Sequence, residues 1–447
     1  MWQTRQLPEM EIARHDVSAS RTTLLKLEFA LACAVVFFAP INVLKLPGFY
    51  FTASDAFACL CLGTMLLAGT IRPSALGPGT AYWTFGLVTM IAALFVSSLL
   101  SGAIDRGLIL SMQYLFAYFL LPLILLARPW NQTDILMKVF VASMVVMVLH
   151  GIYVVDFLGE KNTVFVSGSG RLQGFLEREN ECGSLFALAA PIVLSMMGRR
   201  SIHPIAGVVV LLLFGYGIML TGSNTALYGL LFGLGVFALA TLSTKRALQA
   251  AACCLALWAA LHVPEIRESL PAVFQRRVLV GLESGNLEQA GTFADRFQLI
   301  NEALRLGENA MLLGYGADQY REISEWRAPV HNLYLLIWNE GGLFALGGLM
   351  TMLAGAAITI VAAWRYRQIR AEAACAFSTL MVFAALVNAT PHIYGRFWAV
   401  PVILSLAPLI AFLREGPQRR RFGRLARNNQ REASSSARVM KLHRGKH

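Results

Sequence analysis

Residues 204–220 read PIAGVVVLLLFGYGIML, and after the turn TGSNT at 221–225 the chain continues as ALYGLLFGLGVFALATLS to residue 243. Neither apolar run contains a charged residue. Each run approaches the roughly 20 residues that an α-helix needs to cross about 30 Å of hydrocarbon. The segment therefore predicts two antiparallel transmembrane helices joined by a tight turn.

The same pattern recurs along the whole chain. Of the 447 residues, 56% are hydrophobic and only 14% are charged, which excludes a water-soluble globular protein. Apolar runs bounded by charges, Pro or Gly predict about twelve transmembrane helices, at 27–44, 54–71, 80–101, 107–127, 135–156, 182–198, 204–220, 225–243, 247–263, 332–363, 372–390 and 397–413. The predicted fold class is an all-α polytopic membrane protein.

The net charge of +12 is concentrated at one end of the chain. Residues 414–447 contain eleven Lys or Arg against Glu415 and Glu432. A basic run beside a transmembrane helix is typical of a cytoplasmic tail that contacts anionic lipid. We therefore expect membrane lipid, and no nucleic acid, as a partner.

Lys and Arg flank the predicted spans on alternate sides, which places both termini in the cytoplasm. Residues 1–26 have no apolar signal region, so we expect an N-terminal tail followed by a first span that acts as signal anchor. The remaining predicted segments are spans one to nine over 27–263, with an outer loop at 157–181; a large outer loop at 264–331; spans ten to twelve over 332–413; and the tail at 414–447. The large loop forms a helical subdomain outside the cytoplasm.

The large outer loop contains one segment with helical features, from Thr292 to Leu306. Thr292 and Asp295 resemble a capping box, and Gly307 stands where a C-terminal glycine belongs. Apolar residues recur at helical spacing on one face: Phe297, Ile300 and Leu304. We expect a helix on the membrane surface with this face directed towards the lipid.

Arginines in the outer loops are candidates for binding phosphate, because a guanidinium group can bind a phosphate through two hydrogen bonds. Arg171 and Arg178 lie in the first long loop, and Arg296 and Arg305 lie in the second. The alternative for each is a solvated side chain or a local ion pair, such as Arg296 with Asp295.

His331 stands directly before the tenth span, in the segment His331-Asn332-Leu333-Tyr334-Leu335. With an ordinary pKa near 6.5, an imidazole at headgroup depth can accept a proton from a substrate. Glu340 lies roughly 13 Å deeper along the helix, nearly on the opposite face. We interpret Glu340 as a structural polar group between helices rather than a catalytic one.

The turn Thr221-Gly222-Ser223-Asn224-Thr225 has two interpretations. Its helix ends can present N–H groups to an anion, or the Gly and Asn serve only the backbone geometry of the turn.

These segments together resemble the O-antigen ligase and polysaccharide polymerase family of bacterial inner-membrane glycosyltransferases. The resemblance covers roughly residues 165–345. It rests on four groups of residues: Thr221 to Thr225; Arg296-Phe297-x-x-Ile300; Leu313-Gly314-Tyr315-Gly316; and His331-Asn332-x-Tyr334-Leu335 with Glu340-x-Gly342-Leu343.

The resemblance implies a GT-C-like fold in the inner membrane and a periplasmic active site that needs no metal or other cofactor. It implies transfer of a glycan from undecaprenyl pyrophosphate to an acceptor hydroxyl. Arg296 would bind the pyrophosphate and His331 would activate the acceptor. Asn332, Tyr334 and Glu340 would support the site, and Arg178 and Arg305 are weaker candidates for the pyrophosphate.

The chain departs from the family at Asn224, where ligases resemble each other in having an arginine that faces the pyrophosphate. We expect Arg171 to supply that charge, and Asn224 to support the site. The departure favours a polymerase of exopolysaccharide, capsule or O-antigen repeat units over the alternative, an O-antigen ligase that joins polymer to lipid A-core. The implied partners are the lipid-linked donor, a growing glycan or lipid A-core acceptor, and a chain-length regulator.

Three other functions fit the sequence less well. A lipid-linked-sugar transporter of the common twelve-span type has its long loop in the cytoplasm after span six, where this chain has only Arg199 to Pro204. A metal-dependent transferase needs an acidic pair, and no Asp-x-Asp occurs. A zinc site would use histidines whose spacing fits no known ligand pattern: His150, His262, His331 and His392.

Overall fold

The computed structural model describes residues 8–46, 50–241, 263–280 and 293–416, and this part of the chain is almost entirely helical. We number the helices in chain order: α1 Pro8–Phe38, α2 Ala53–Ala68, α3 Thr80–Leu100, α4 Ile104–Leu125, α5 Trp130–Phe157, α6 Glu179–Gly198, α7 Pro204–Thr221, α8 Asn224–Ala240, α9 Pro264–Glu268, α10 Ala272–Phe274, α11 Phe293–Asn309, α12 Tyr320–Ile323, α13 Leu333–Trp364, α14 Arg370–Leu386 and α15 Arg396–Glu415. A two-stranded antiparallel ribbon, β1 Lys45–Leu46 and β2 Phe51–Thr52, joins α1 to α2.

Eight helices of the described chain are long and apolar enough to cross a membrane: α3 to α7, α13, α14 and α15. The helices α2 and α8 are apolar but shorter. The protein is therefore an all-α polytopic membrane protein, which confirms the predicted class. The ninth predicted span, 247–263, lies almost wholly outside the described residues, as does the basic tail beyond Gly416, and the total of twelve spans stays a prediction.

The first helix differs from the sequence expectation. We expected a tail over residues 1–26 and a span over 27–44, whereas α1 begins at Pro8 and ends at Phe38. Between Pro8 and Phe38 the sequence contains no further Pro and no Gly, so nothing interrupts the helix as it leaves the apolar region.

The closest helix contact joins α3 to α13, with glycines seven residues apart on both helices. Gly86 of α3, and Gly79 in the turn before it, face Gly348 and Gly355 of α13. A Cβ atom at Gly348 would lie 2.5 Å from the main-chain nitrogen of Met90, and one at Gly355 would lie 2.6 Å from that of Trp83. Small residues let membrane helices approach until their backbones touch, which maximises van der Waals contact.

The helix α13 is broken where the glycine-rich loop 311–316 crosses it. Gly342 has φ 71° and ψ −173°, a conformation that a side chain would strain. The loop binds the freed main-chain groups: Leu343 N–H donates to Met311 O at 2.9 Å, and Tyr315 N–H donates to Asn339 O at 2.8 Å. A Cβ at Gly314 would collide with the main chain of Glu340, so no side chain fits there. The Leu313-Gly314-Tyr315-Gly316 segment thus lets the loop backbone approach and hydrogen-bond the backbone of α13.

The helix α11 packs on α13 and ends further along the chain than we expected. It runs to Asn309, so Gly307 lies inside the helix and does not end it. Its buried apolar side chains Leu299 and Ala303 pack with Leu336, whereas Phe297 and Leu304 are exposed. The face with Phe297 and Leu304 is thus open, its direction towards lipid stays a prediction, and a different face packs against α13. Thr292 lies outside the described residues.

Two buried ion pairs connect separate helices of the protein. Arg396, the first residue of α15, donates from Nη2 to Asp55 Oδ2 at 2.8 Å, and Asp55 also caps the start of α2 through Thr52. At the opposite end of the helices Arg128 pairs with Glu28. Buried charges of this kind are tolerated only when paired, so each pair ties its helices in one arrangement.

The glycine contact between α3 and α13 generates a prediction for stability. Gly348→Leu should destabilise the folded protein by about 3 kcal/mol or more, because the side chain would meet backbone that cannot move aside. Gly347→Leu is the matched control, since no atom lies within 4 Å of a Cβ at Gly347. The measurement is the thermal unfolding midpoint in detergent, and equal midpoints for the two variants would contradict the prediction.

Candidate functional site

A cavity of about 470 Å³ lies between the first turns of α8, the end of α14, the helix α11 and the residue before α13. Its polar lining comprises Thr225, Arg296, His331 and Asn388. The rest of the lining is mainly apolar: Tyr228, Gly229, Phe232, Phe297, Ile300, Ala385, Leu386 and Ala389. Tyr228, Phe232 and Phe297 are also exposed on the surface of the protein. The cavity therefore combines cationic and polar side chains with apolar and aromatic ones, three of which are exposed on the surface of the protein.

His331 is held by the backbone just before α13. Its Nδ1 lies 3.1 Å from the carbonyl oxygen of Pro329, and because a carbonyl can only accept, Nδ1 carries the hydrogen. The Nε2 atom is then the unprotonated nitrogen of the neutral ring. Burial lowers the pKa of His331 from its ordinary value of 6.5, and the charges of Arg296 and Arg178 lower it further. The imidazole is therefore neutral near pH 7 and able to accept a proton.

The start of α13 is anchored to the end of α14, which fixes the position of His331. Asn332 caps α13 by accepting a hydrogen bond from Leu335 N–H at 3.1 Å, and its amide donates to Asn388 Oδ1 at 3.3 Å. Leu333 N–H donates to Val387 O at 2.9 Å. Tyr334 extends the same junction, since its hydroxyl donates to Ala384 O at 3.1 Å. Asn332 and Tyr334 thus hold the junction beside the cavity.

Arg296 is half-buried on α11 and lines the same cavity as His331. Its Nε is buried and has no hydrogen-bond partner among the described residues. Burial lowers the pKa of its guanidinium group, and the charge of Arg277 lowers it further. The side chain therefore stands in the cavity as a cation with no carboxylate within 4 Å among the side chains that the structure describes, which do not include that of Asp295.

The turn between α7 and α8 serves backbone geometry and also borders the cavity. Gly222 has φ 55° and ends α7, and the Ser223 hydroxyl accepts a hydrogen bond from Ala226 N–H at 3.3 Å, which caps α8. The Asn224 amide donates to the carbonyl of Arg277 at 3.4 Å. Thr225 lines the cavity. Both interpretations of this turn thus remain compatible with its position.

The three other candidate arginines have different surroundings. Arg171 is buried and donates to Thr221 O at 2.7 Å and to Asn180 Oδ1 at 2.9 Å. The Arg178 side chain is exposed, with Glu181 at 3.7 Å. Arg305 is exposed and pairs with Glu325 at 2.5 Å, on a part of α11 that does not line the cavity.

Glu340 is buried and binds loop backbone. The main-chain N–H groups of Asp318 and Tyr320 hydrogen-bond its carboxylate. It does not line the cavity. These contacts are with the chain at Asp318 and Tyr320, whereas we expected a polar contact between membrane helices, and the structural role of Glu340 stays a prediction.

Sequence reasoning missed several residues around the cavity. Tyr228 and Phe232 lie four residues apart on α8, a spacing that indicates a shared face but not what that face contacts. Asn388 follows α14, and only the fold brings it to Asn332. Arg277 was one arginine among seven in its loop and carried no signal in its spacing.

In the described part of the chain, no group of three or more His, Cys, Asp or Glu side chains comes together as a metal-binding set would. The polar lining of the cavity is instead built from guanidinium, imidazole, hydroxyl and amide groups. Such groups suit a phosphorylated ligand.

The fold and the site define a multi-pass helical membrane protein with a cavity that combines cationic and apolar side chains. One part of the chain matches a known family. Residues 208–350 match the O-antigen ligase (Wzy_C) family model, so the chain carries an O-antigen ligase family domain, as the resemblance predicted. The match includes Asn224, Arg296 and His331. No curated protein matches the chain.

The position of Glu340 generates a prediction that separates structure from catalysis. Glu340→Leu should destabilise the protein by about 3 kcal/mol, because two buried N–H groups lose their acceptor, and Glu340→Gln should cost less because an amide oxygen remains. Thermal unfolding in detergent measures the difference. Glycan transfer per folded molecule should stay close to that of the unaltered protein for Glu340→Gln, and a loss greater than about tenfold would assign Glu340 to catalysis.

Proposed function

We propose that the protein transfers a glycan from a polyprenyl pyrophosphate carrier, undecaprenyl pyrophosphate, to a sugar hydroxyl. The observation that carries this proposal is the cavity that Arg296 and His331 line together with apolar and aromatic side chains. A substrate with a charged headgroup and a long hydrocarbon tail combines the same two kinds of chemistry, charged and apolar. The pyrophosphate would lie at Arg296, and the isoprenoid chain would lie along Tyr228, Phe232 and Phe297.

The chemistry follows from the groups present. The oxygen of the acceptor hydroxyl forms a bond to the anomeric carbon of the donor, and its proton moves to Nε2 of His331. The bond between that carbon and the pyrophosphate oxygen breaks, and its electron pair stays on the pyrophosphate. Arg296 stabilises the charge that develops there, in a site from which water is partly excluded. The guanidinium group takes the electrophilic role, so the proposal requires no metal.

The acceptor reaches His331 from the exposed loop side, where Arg178 and Glu181 lie at the start of α6. A paired cation and carboxylate offer both donors and acceptors to sugar hydroxyls. We therefore assign Arg178 to the acceptor rather than to the pyrophosphate. We assign Arg305 no part in the site because it does not line the cavity and its exposed guanidinium group pairs with Glu325.

We further propose that the site faces the periplasm of a bacterial inner membrane, with both termini in the cytoplasm, and that the protein polymerises repeat units of an exopolysaccharide, capsule or O-antigen. The alternation of basic residues supports this orientation. The departure at Asn224 from the arginine of the ligases supports polymerisation.

The proposed roles generate a prediction for glycan synthesis in cells. His331→Ala should lower the transfer rate by about 10²- to 10⁴-fold through loss of the base. Arg296→Ala should lower it by about 10²- to 10³-fold through loss of charge stabilisation. Arg327→Ala is the control, because Arg327 is exposed and outside the cavity. The measurement is polymer length and amount at matched protein level, and full-length polymer from His331→Ala or Arg296→Ala would overturn the role of that residue.

The lipid-linked glycan that accumulates in His331→Ala cells distinguishes the related functions. A single repeat unit on the carrier is the result expected of a polymerase, and long polymer on the carrier would identify a ligase. Purified protein in detergent, supplied with lipid-linked repeat units, should form new glycosidic bonds. A transporter would form none.

The lowered pKa of His331 generates a prediction for pH dependence. The rate should fall as the pH drops through this pKa, because only the neutral ring accepts a proton, and the acidic limb should lie below pH 6.5. Arg178→Gln removes a positive charge that disfavours the imidazolium, so it should raise the pKa and move the acidic limb to higher pH. The measurement is the pH profile of transfer by purified protein. A limb that stays in place or moves to lower pH would contradict His331 as the base.

A further inference from the structure

Three guanidinium groups act on one another through their charges: Arg296, which lines the cavity, and Arg171 and Arg277, which do not line it. Burial lowers the pKa of Arg171, and although Glu179 opposes this shift, the charges of Arg277 and Arg296 add to it. Arg277 likewise lowers the pKa of the half-buried Arg296. Like charges in a partly dehydrated site repel one another strongly, so the cluster needs compensating anions.

Of the three arginines, only Arg171 has its side-chain hydrogen-bond donors occupied by other described groups of the protein. Arg171 donates from Nε to Thr221 O at 2.7 Å and from Nη2 to Asn180 Oδ1 at 2.9 Å, and Glu179 lies 3.8 Å from its Nη1. These contacts join the first long loop to the end of α7 and the start of α6. Arg171 therefore acts as a structural tie, with little capacity left for a ligand.

Arg277 and Arg296, in contrast, each have a side-chain donor that no described residue binds. The Nε atom of each is buried and has no hydrogen-bond partner among the described residues. In the same part of the chain, neither guanidinium group has a carboxylate within 4 Å, although Arg171, Arg178 and Arg305 all do. Among the residues whose side chains the structure describes, each guanidinium group thus has an unused Nε donor and no neighbouring carboxylate.

The backbone at Arg277 is fixed against the turn that borders the cavity. Arg277 lies on a π-helical turn, Gln275–Leu279, which continues α10. Its carbonyl accepts the hydrogen bond from the Asn224 amide at 3.4 Å. A Cβ at Gly222 would lie 2.6 Å from Val273 Cγ1 and 3.5 Å from Arg277 Cδ, so the segment packs directly on the glycine of this turn.

We propose that Arg277 is a second pyrophosphate-binding arginine, that Asn224 is the residue that positions it, and that Arg171 is not a ligand. The inference rests on the proposed function for the identity of the anion. Arg277 and Arg296 then hold the two phosphate groups together, and Asn224 contributes through its amide contact with the backbone of Arg277. The charge that we expected from Arg171 comes instead from the segment on the other side of the Gly222 turn.

The test is binding of farnesyl pyrophosphate and farnesyl monophosphate to the purified full-length protein in detergent, by calorimetry. Arg277→Gln should weaken pyrophosphate binding by about 10- to 100-fold, the value of one or two charge-assisted hydrogen bonds. It should weaken monophosphate binding less, so the preference for pyrophosphate should fall. Arg276→Gln is the matched control, because this neighbour is exposed and should leave both affinities unchanged.

Two further variants test the roles of Asn224 and Arg171. Asn224→Ala should weaken pyrophosphate binding a few-fold, and this effect should vanish when Arg277 is already Gln, since a positioning residue acts only through the residue that it positions. Arg171→Gln should lower the thermal unfolding midpoint, while the folded protein should retain its affinity for farnesyl pyrophosphate.

The outcomes separate this inference from the proposed function. Weaker binding in Arg296→Gln together with unchanged binding in Arg277→Gln would overturn the role of Arg277 and leave the proposed function standing. A loss in Arg171→Gln as large as that in Arg277→Gln, at equal folded fraction, would overturn the assignment of Arg171. Absence of binding to the unaltered protein would overturn both the inference and the proposed function.

Discussion

Main-chain groups that lose their helical partners at Gly342 must find new partners inside the protein, because lipid offers none. The loop 311–316 supplies them through its own backbone, which crosses α13 at glycine positions where no side chain would fit. The Glu340 carboxylate binds the same connection further along, at Asp318 and Tyr320. The break thereby draws the large loop down onto α13, and the position of α11 and of Arg296 depends on this attachment.

Arginine in this protein serves two purposes that its partners distinguish. Arg396 and Arg128 are buried with carboxylates and hold helix ends together, and Arg171 similarly ties a loop to two helices. Arg277 and Arg296 lack such partners among the described side chains, and the charge of Arg277 acts on Arg296, which lines the cavity. In a partly dehydrated site, uncompensated cations make binding of an anion favourable, whereas paired ones stabilise only the fold.

The sequence predicted the helices far better than the contacts between them. Apolar runs and flanking charges located the membrane helices to within a few residues, except at α1, whose polar start carries no signal of burial. The motif residues Arg296 and His331 were predicted to share a site, and they line one cavity. The second face of α11, where Leu299 and Ala303 pack with Leu336, was not predicted, because an apolar repeat indicates one face without identifying what covers the others.

The hydropathy of the chain alone determined that it is a multi-pass helical membrane protein, since a helix in lipid must satisfy its own backbone and expose apolar side chains. Residue chemistry alone indicated a phosphate-binding arginine and a histidine base. Only the tertiary structure decided which arginines are tied to carboxylates and which are not, and which glycines bring two backbones together. These features depend on residues far apart in the chain, and their spacing in the sequence carries no information about their distance in space.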